Sequence, residues 1–135
     1  MPADVQGYAM TLLDSIMLLL FLFNLKHFVV DFLLQRPYQY SNKGTYGHPG
    51  GILHAGLHGL GTWFCLFWIN PFWATVMALF DAFVHYHVDW AKTNLNSHFG
   101  WTATTHEEFW WLLGLDQLLH AITYIVIIGW TVGAF

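Results

Sequence analysis

Charge is scarce in this chain. Four Lys/Arg and eight Asp/Glu among 135 residues leave only 9% of positions charged, too few to clothe a water-soluble domain of that length in polar surface. The same scarcity, with a formal net charge of −4, excludes the basic footprint of a nucleic-acid-binding protein, and no nucleic-acid partner is expected. Cysteine is nearly missing as well. Cys65 stands alone, which rules out an internal disulfide framework or a thiolate-built zinc cluster. Any metal bound here must find nitrogen and oxygen ligands. Residues 1–6 carry no Lys or Arg, so the positive region of a cleaved secretory signal is lacking and the first apolar segment is expected to stay in the mature chain.

What fills the sequence instead is apolar: 56% hydrophobic and 19% aromatic residues, the composition of a membrane protein. Four apolar stretches predict helices at about 10–35, 51–68, 71–92 and 107–131, each near the length that spans a bilayer. Arg36-Pro37 closes the first, because proline cannot continue the backbone ladder and disfavours a helical residue before it. His48-Pro49-Gly50-Gly51 opens the second, and Asn70-Pro71 reads as an N-cap and first position for the third. A polar connection over 94–105 follows, and Thr105-His106-Glu107-Glu108 fits a capping box for the fourth. The expected fold is all-α: one polytopic domain over 1–135, with four transmembrane helices in an antiparallel bundle. In the second helix Gly51, Ala55 and Gly59 form a small-residue stripe, which lets a neighbouring helix approach closely.

Polar residues recur at helical spacing inside these apolar stretches. His27 and Asp31 share a face with Asn24 and Gln35; His54 and His58 lie one turn apart; Asp81, His85 and Asp89 form a stripe; and Asp116 and His120 repeat the pattern in the last helix. Two pairs fall late in helices one and three and two fall early in helices two and four. Antiparallel packing therefore brings all four to one depth. Lys26, Arg36, Lys43 and Lys92 all belong to that end of the bundle and none to the other, so this end is expected to face the cytoplasm, with both termini outward.

Ionisable groups at membrane depth are costly and imply a compensating cation, proton or opposite charge. Two side chains four residues apart on a helix can share one metal, and facing helices can complete its ligand set, as in carboxylate-bridged dimetal bundles. The candidate ligands are His27, Asp31, His54, His58, His85, Asp89, Asp116 and His120, with Asp81 deeper. Eight groups exceed one ion's needs, so either two ions bind or some of the eight orient the others. The imidazole and carboxylate set suits a divalent Zn, Mn or Fe ion without choosing among them. His87 lies off the stripe, and His48, His98 and His106 are loop or cap residues. Trp90, Trp101, Trp110 and Trp111 read as an interfacial aromatic belt.

The ordered set His27-x3-Asp31-x3-Gln35, His54-x3-His58, His85-x3-Asp89-x2-Lys92 and Asp116-Gln117-x2-His120 resembles an uncharacterised family of small bacterial and phage integral membrane proteins, domain of unknown function 3307. The resemblance covers nearly the whole chain and implies a membrane-embedded helical fold, in a bacterial inner membrane, with no activity attached. In the style of its His/Asp helices the chain is also similar, more weakly, to bacterial membrane-bound metal-dependent hydrolases.

Three functions fit the pattern. The first is a metal-dependent hydrolase of a lipid ester or lipid phosphate. In it Asp31, Asp89 or Asp116 serves as general base, Lys92 and Arg36 neutralise a phosphate or oxyanion, and Gln35 and Gln117 orient ligands or substrate. The second is proton or divalent-metal transport, against which the outer half of the bundle offers few polar groups. The third is a structural or accessory subunit, as a homo-oligomer or with other membrane partners.

Overall fold

Three prolines set where helices begin. Pro37, Pro49 and Pro71 each occupy a first helical turn, where a missing N–H costs nothing and a fixed φ suits the helix. The computed structural model describes residues 3–133, with side-chain surroundings from residue 11 onward, and the described residues are helices and the turns that join them. The opening residues 1–2, and the side chains of the stretch noted for its lack of basic groups, lie outside that description.

The first helix, α1, runs Ala3–Phe28 and widens without a break into a π-helical segment, Val29–Leu34. Arg36, ahead of Pro37, takes the extended conformation that proline imposes on its predecessor. Then comes α2, a single turn Pro37–Tyr40, where a loop was expected. Next is α3, Pro49–Leu66, whose N-cap His48 accepts the Gly50 N–H on its ring at 3.0 Å. Asn70 caps α4, Pro71–Phe99, through the Trp73 N–H at 3.1 Å. Finally α5 spans Glu107–Thr131.

Two local expectations fail. α4 does not stop near residue 92 but continues two turns further, to Gly100, whose φ of 67° supplies a left-handed C-cap. Asn94 reads as a loop residue by composition, yet its side chain donates to Trp90 O and Gly44 O and so sits comfortably on the helix. At the start of α5 the N-cap is His106 and no side chain caps it. The Thr105 hydroxyl is engaged instead by Thr102 and by the His106 ring.

The four long helices pack in a ring, α1 on α3, α3 on α4, α4 on α5 and α5 on α1. Their contacts run in opposite senses: Gly51 lies by Tyr86 and Gly59 by Ala78, while His85 meets His120 and Trp73 meets Trp130. The α3–α4 contact is the closest, and the small-residue stripe explains it. A Cβ on Gly59 would come within 2.6 Å of the Ala78 carbonyl oxygen.

The interior has two halves. Leu19, Phe23, Leu66, Ala74, Met77, Tyr124, Ile127 and Ile128 form an apolar cluster towards one end. The other half is polar, with Lys26, His54, His58, Asp81, His85, Asp89, Asp116 and His120 all buried. The outer surface reverses this order, presenting Phe21, Phe32, Leu79 and Phe83 at more than 60% exposure. Two helical stretches, Thr11–Leu34 and Glu107–Thr131, are long and apolar enough to cross a membrane. The eight tryptophans divide evenly between the ends. Trp63, Trp68, Trp73 and Trp130 gather where α3 and α5 finish and α4 starts; Trp90, Trp101, Trp110 and Trp111 lie towards the α4–α5 connection.

Candidate metal centre

Four pairs of polar residues, one from each long helix, meet in the polar half. His27 comes from the last turn of α1 and Asp31 from the π segment that continues it, His54 and His58 from successive turns of α3, His85 and Asp89 from α4, and Asp116 and His120 from α5. The antiparallel ring carries them to a common level because the late turns of α1 and α4 lie beside the early turns of α3 and α5.

Asp31 Oδ1 is the focus of the first group. It lies 2.9 Å from His58 Nε2 and 3.1 Å from His54 Nε2, and His54 Nε2 lies 3.3 Å from His85 Nε2. One ligand atom from each of Asp31, His54, His58 and His85 falls within 4.8 Å of every other, so these residues could hold a metal ion. The three histidines are at most 1% exposed. The His85 ring stacks on His58 at 3.6 Å between centroids and on His120 at 3.9 Å, placing it at the centre of the layer.

A second group, His85, Asp89 and His120, meets the same distance test. Asp89 Oδ2 is 3.4 Å from both His54 Nε2 and His85 Nε2, while its Oδ1 is 3.7 Å from His120 Nε2. Asp116 Oδ1 faces His120 Nε2 at 3.4 Å, and neither atom has a hydrogen bond.

His27, expected among the ligands, stands beside Asp31 and steadies it. Its Nε2 is 3.0 Å from Asp31 Oδ2 and 3.0 Å from Gln117 Oε1, and its Nδ1 is 2.7 Å from the Tyr124 hydroxyl. Both ring nitrogens are thus engaged, by Asp31, Gln117 and Tyr124. Gln117 also donates to Asp116 Oδ2 at 3.0 Å, whereas Gln35 turns back to the Asp31 carbonyl. Arg36 is exposed as the N-cap of α2 and takes part in none of the ion pairs among the described residues. His87 bonds Tyr46 and the Phe83 carbonyl, away from the cluster.

Lysines complete the layer, and most of their roles were not visible in the sequence. Lys26 is buried, with its ammonium 2.5 Å from Asp81 Oδ2, donating to the His58 carbonyl at 3.1 Å and lying 4.5 Å from the centre of the Tyr124 ring. The Thr62 hydroxyl donates to the same Asp81 oxygen. Asp81 is therefore the base of a separate buried pair one level deeper. Lys43 reaches in from the loop after α2 and pairs with Asp89 at 2.7 Å. That loop is latched to α4 by Gly47 N–H donating to the Tyr86 hydroxyl and by Asn94 donating to Gly44 O. Gln39 of α2 adds a contact of 3.4 Å to His54 Nδ1. Lys92 lies 3.3 Å from Asp116 and 3.9 Å from Asp89. One signal did point to Lys26: a lysine inside an apolar span must either snorkel or find a buried partner. Nothing in the composition of the loop marks Lys43.

Over residues 18–134 the chain matches the family described as protein of unknown function (DUF3307), and it belongs to that family. No curated protein and no solved structure matches it.

Proposed function

We propose that this chain is an integral membrane protein whose four long helices all cross the bilayer and enclose a divalent transition-metal ion held by Asp31, His54, His58 and His85. The observation that carries the reading is the convergence of four donor atoms from three helices in a buried layer. Donors about 2.0–2.1 Å from one ion stand roughly 2.9–3.4 Å apart; three of the six separations, 2.9, 3.1 and 3.3 Å, fall in that range, and all are within 4.8 Å. Three imidazoles and a carboxylate without thiolate suit Zn, Mn or Fe.

Membrane embedding of α3 and α4 is supported by where their polar residues point. His54, His58, Asp81, His85 and Asp89 face inward and are buried, while Leu53, Leu60, Phe64, Leu79 and Phe83 face out. Two tryptophan bands at the ends suit the two membrane–water interfaces. With Lys26 and Lys43 buried, the cytoplasmic assignment of the α4–α5 end rests on Arg36 and Lys92; the membrane is the bacterial inner membrane, with both termini outward. Passage of an ion through a single copy is disfavoured, because beyond Lys26, Thr62 and Asp81 the interior is the apolar cluster around Phe23, Leu66 and Ile127.

Metal-dependent hydrolysis of a lipid ester or lipid phosphate is the second reading, and Lys92 favours it. Its side chain is 25% exposed, against 7% for Lys26 and 9% for Lys43. It stands at a groove of about 250 Å³ between α4 and α5 walled by Leu95, Leu112, Leu115 and Leu119. An acyl chain in that groove would carry its head group to the ammonium. A bound ion would supply Lewis acidity and an activated water, and Asp89 or Asp116 would take the proton.

Elemental analysis of protein purified in detergent without chelators tests the first reading. At least one equivalent of transition metal is expected, with its affinity reduced in His58→Ala and in Asp31→Asn. Wild-type protein that is metal-free and takes up none on reconstitution would overturn it. Head-group release from mixed membrane lipids by the metal-loaded protein tests the second; an intact metal centre with no product would assign the ion a structural role in an accessory subunit or homo-oligomer.

A further inference from the structure

The first ion leaves a set of donors unused. Asp89 presents its two carboxylate oxygens to different neighbours: Oδ2 to His54 and His85 at 3.4 Å each, Oδ1 to His120 at 3.7 Å. On the far side of Asp89, His120 Nε2 and Asp116 Oδ1 face each other at 3.4 Å without a hydrogen bond, in side chains only 2% and 1% exposed. His85 is common to both groups of candidate ligands, and the lone pair of its Nε2, which faces His54 at 3.3 Å, serves one ion. We infer that the bundle holds a second divalent ion, bound by Asp89, Asp116 and His120, with the Asp89 carboxylate bridging the two. The inference rests on the first ion being held as proposed above.

The lysines agree with this position. Lys43 lies 2.7 Å from Asp89 Oδ2, and Lys92 lies 3.3 Å from Asp116 Oδ2 and 3.9 Å from Asp89 Oδ1. Their ammonium groups put positive charge where the second ion would put it. Formal charge then orders the two ions. Asp31, Asp81, Asp89 and Asp116 against Lys26, Lys43 and Lys92 leave the layer with one negative charge in excess. The first divalent ion brings it to +1 and the second to +3. The second ion must therefore bind more weakly and must push aside an ammonium group. Lys92, the most exposed of the three, is the one free to swing out.

The test is a Mn²⁺ titration of the full chain in detergent micelles, followed by calorimetry and by electron paramagnetic resonance. Wild-type protein is expected to bind two equivalents in two steps, and the doubly loaded form to give the spectrum of a magnetically coupled pair. Asp116→Asn and His120→Ala should keep the first step and lose the second. Lys92→Met removes one positive charge within 4 Å of the site and should tighten the second step by roughly tenfold or more, leaving the first nearly unchanged. One equivalent at saturation, or two uncoupled equivalents unaltered by Asp116→Asn, would overturn the second ion while leaving the first in place. No binding at all by wild-type protein would remove the first site and this one with it. The coupled spectrum of the wild type needs no variant to fold, and Lys92→Met reports a gain that misfolding cannot mimic.

Discussion

Exchanging the partners of the Lys26–Asp81 pair one at a time and then together separates a buried ion pair from an incidental contact. The ammonium is 2.5 Å from the carboxylate and has two further anchors, the His58 carbonyl at 3.1 Å and the Tyr124 ring at 4.5 Å. Among the described residues Asp81 has only Thr62 besides. Both side chains are under 10% exposed, so neither can recover water when its partner is removed. Lys26→Met leaves Asp81 buried with a single hydroxyl, and Asp81→Leu leaves the ammonium on a carbonyl and a ring. Each single change should cost about 3–5 kcal/mol, the usual penalty for stranding one buried charge. The double variant Lys26→Met/Asp81→Leu removes both charges at once and should unfold within about 1 kcal/mol of wild type, or later, since an apolar pair of similar volume commonly equals or exceeds a buried ion pair. Unfolding by a denaturing detergent in mixed micelles, followed by helix content, gives all four values. Single-variant losses that simply add in the double variant would show that the two side chains do not act as a pair, and the reasoning about the layer's charge would fail with them.

Two further predictions concern the frame that holds the site. Gly59→Ala should destabilise by about 1–3 kcal/mol in the same assay, because its Cβ would meet the Ala78 backbone oxygen at 2.6 Å and the Ala82 side chain at 3.0 Å; Gly56→Ala, with nothing within 4 Å, should instead be neutral or gain up to ~1 kcal/mol from helix propensity, and equal effects at the two positions would contradict the α3–α4 packing. Asn70→Ala removes the cap on the Trp73 N–H and should cost about 1 kcal/mol, read as a small uniform shift in unfolding with no change in metal content.

Much of this arrangement is legible in the sequence because helical periodicity and apolar run length are local properties. The pairs His54/His58, His85/Asp89 and Asp116/His120 announce their shared faces by spacing alone, and the alternation of helix direction is enough to bring them to one level. What stays hidden depends on register between helices and on loops. Lys26 sits one residue before His27 and could be assigned to the surface until the packing of α1 against α3 turns it inward onto Asp81. Lys43 belongs to a loop whose path is set by Tyr86 and Asn94, more than forty positions away in α4, and no local pattern encodes that path. The end of α4 is hidden for a related reason. Polar residues after Lys92 resemble a loop by composition, yet helix termination is decided by a left-handed residue, and the first one available is Gly100. His27 shows the converse case: its spacing to Asp31 matches that of a ligand pair, but Tyr124 and Gln117 from α5 occupy its ring nitrogens.

X-ray absorption at the metal edge of the purified, metal-loaded protein tests the central claim most directly. The account predicts a shell of nitrogen and oxygen donors with strong imidazole back-scattering, no sulfur at the ~2.3 Å expected of a zinc–thiolate bond, and one imidazole fewer in each of His54→Ala, His58→Ala and His85→Ala, with the shell retained in His87→Ala. An ion surrounded by oxygen alone, a sulfur ligand from Cys65, or a spectrum untouched by those three histidine changes would contradict it.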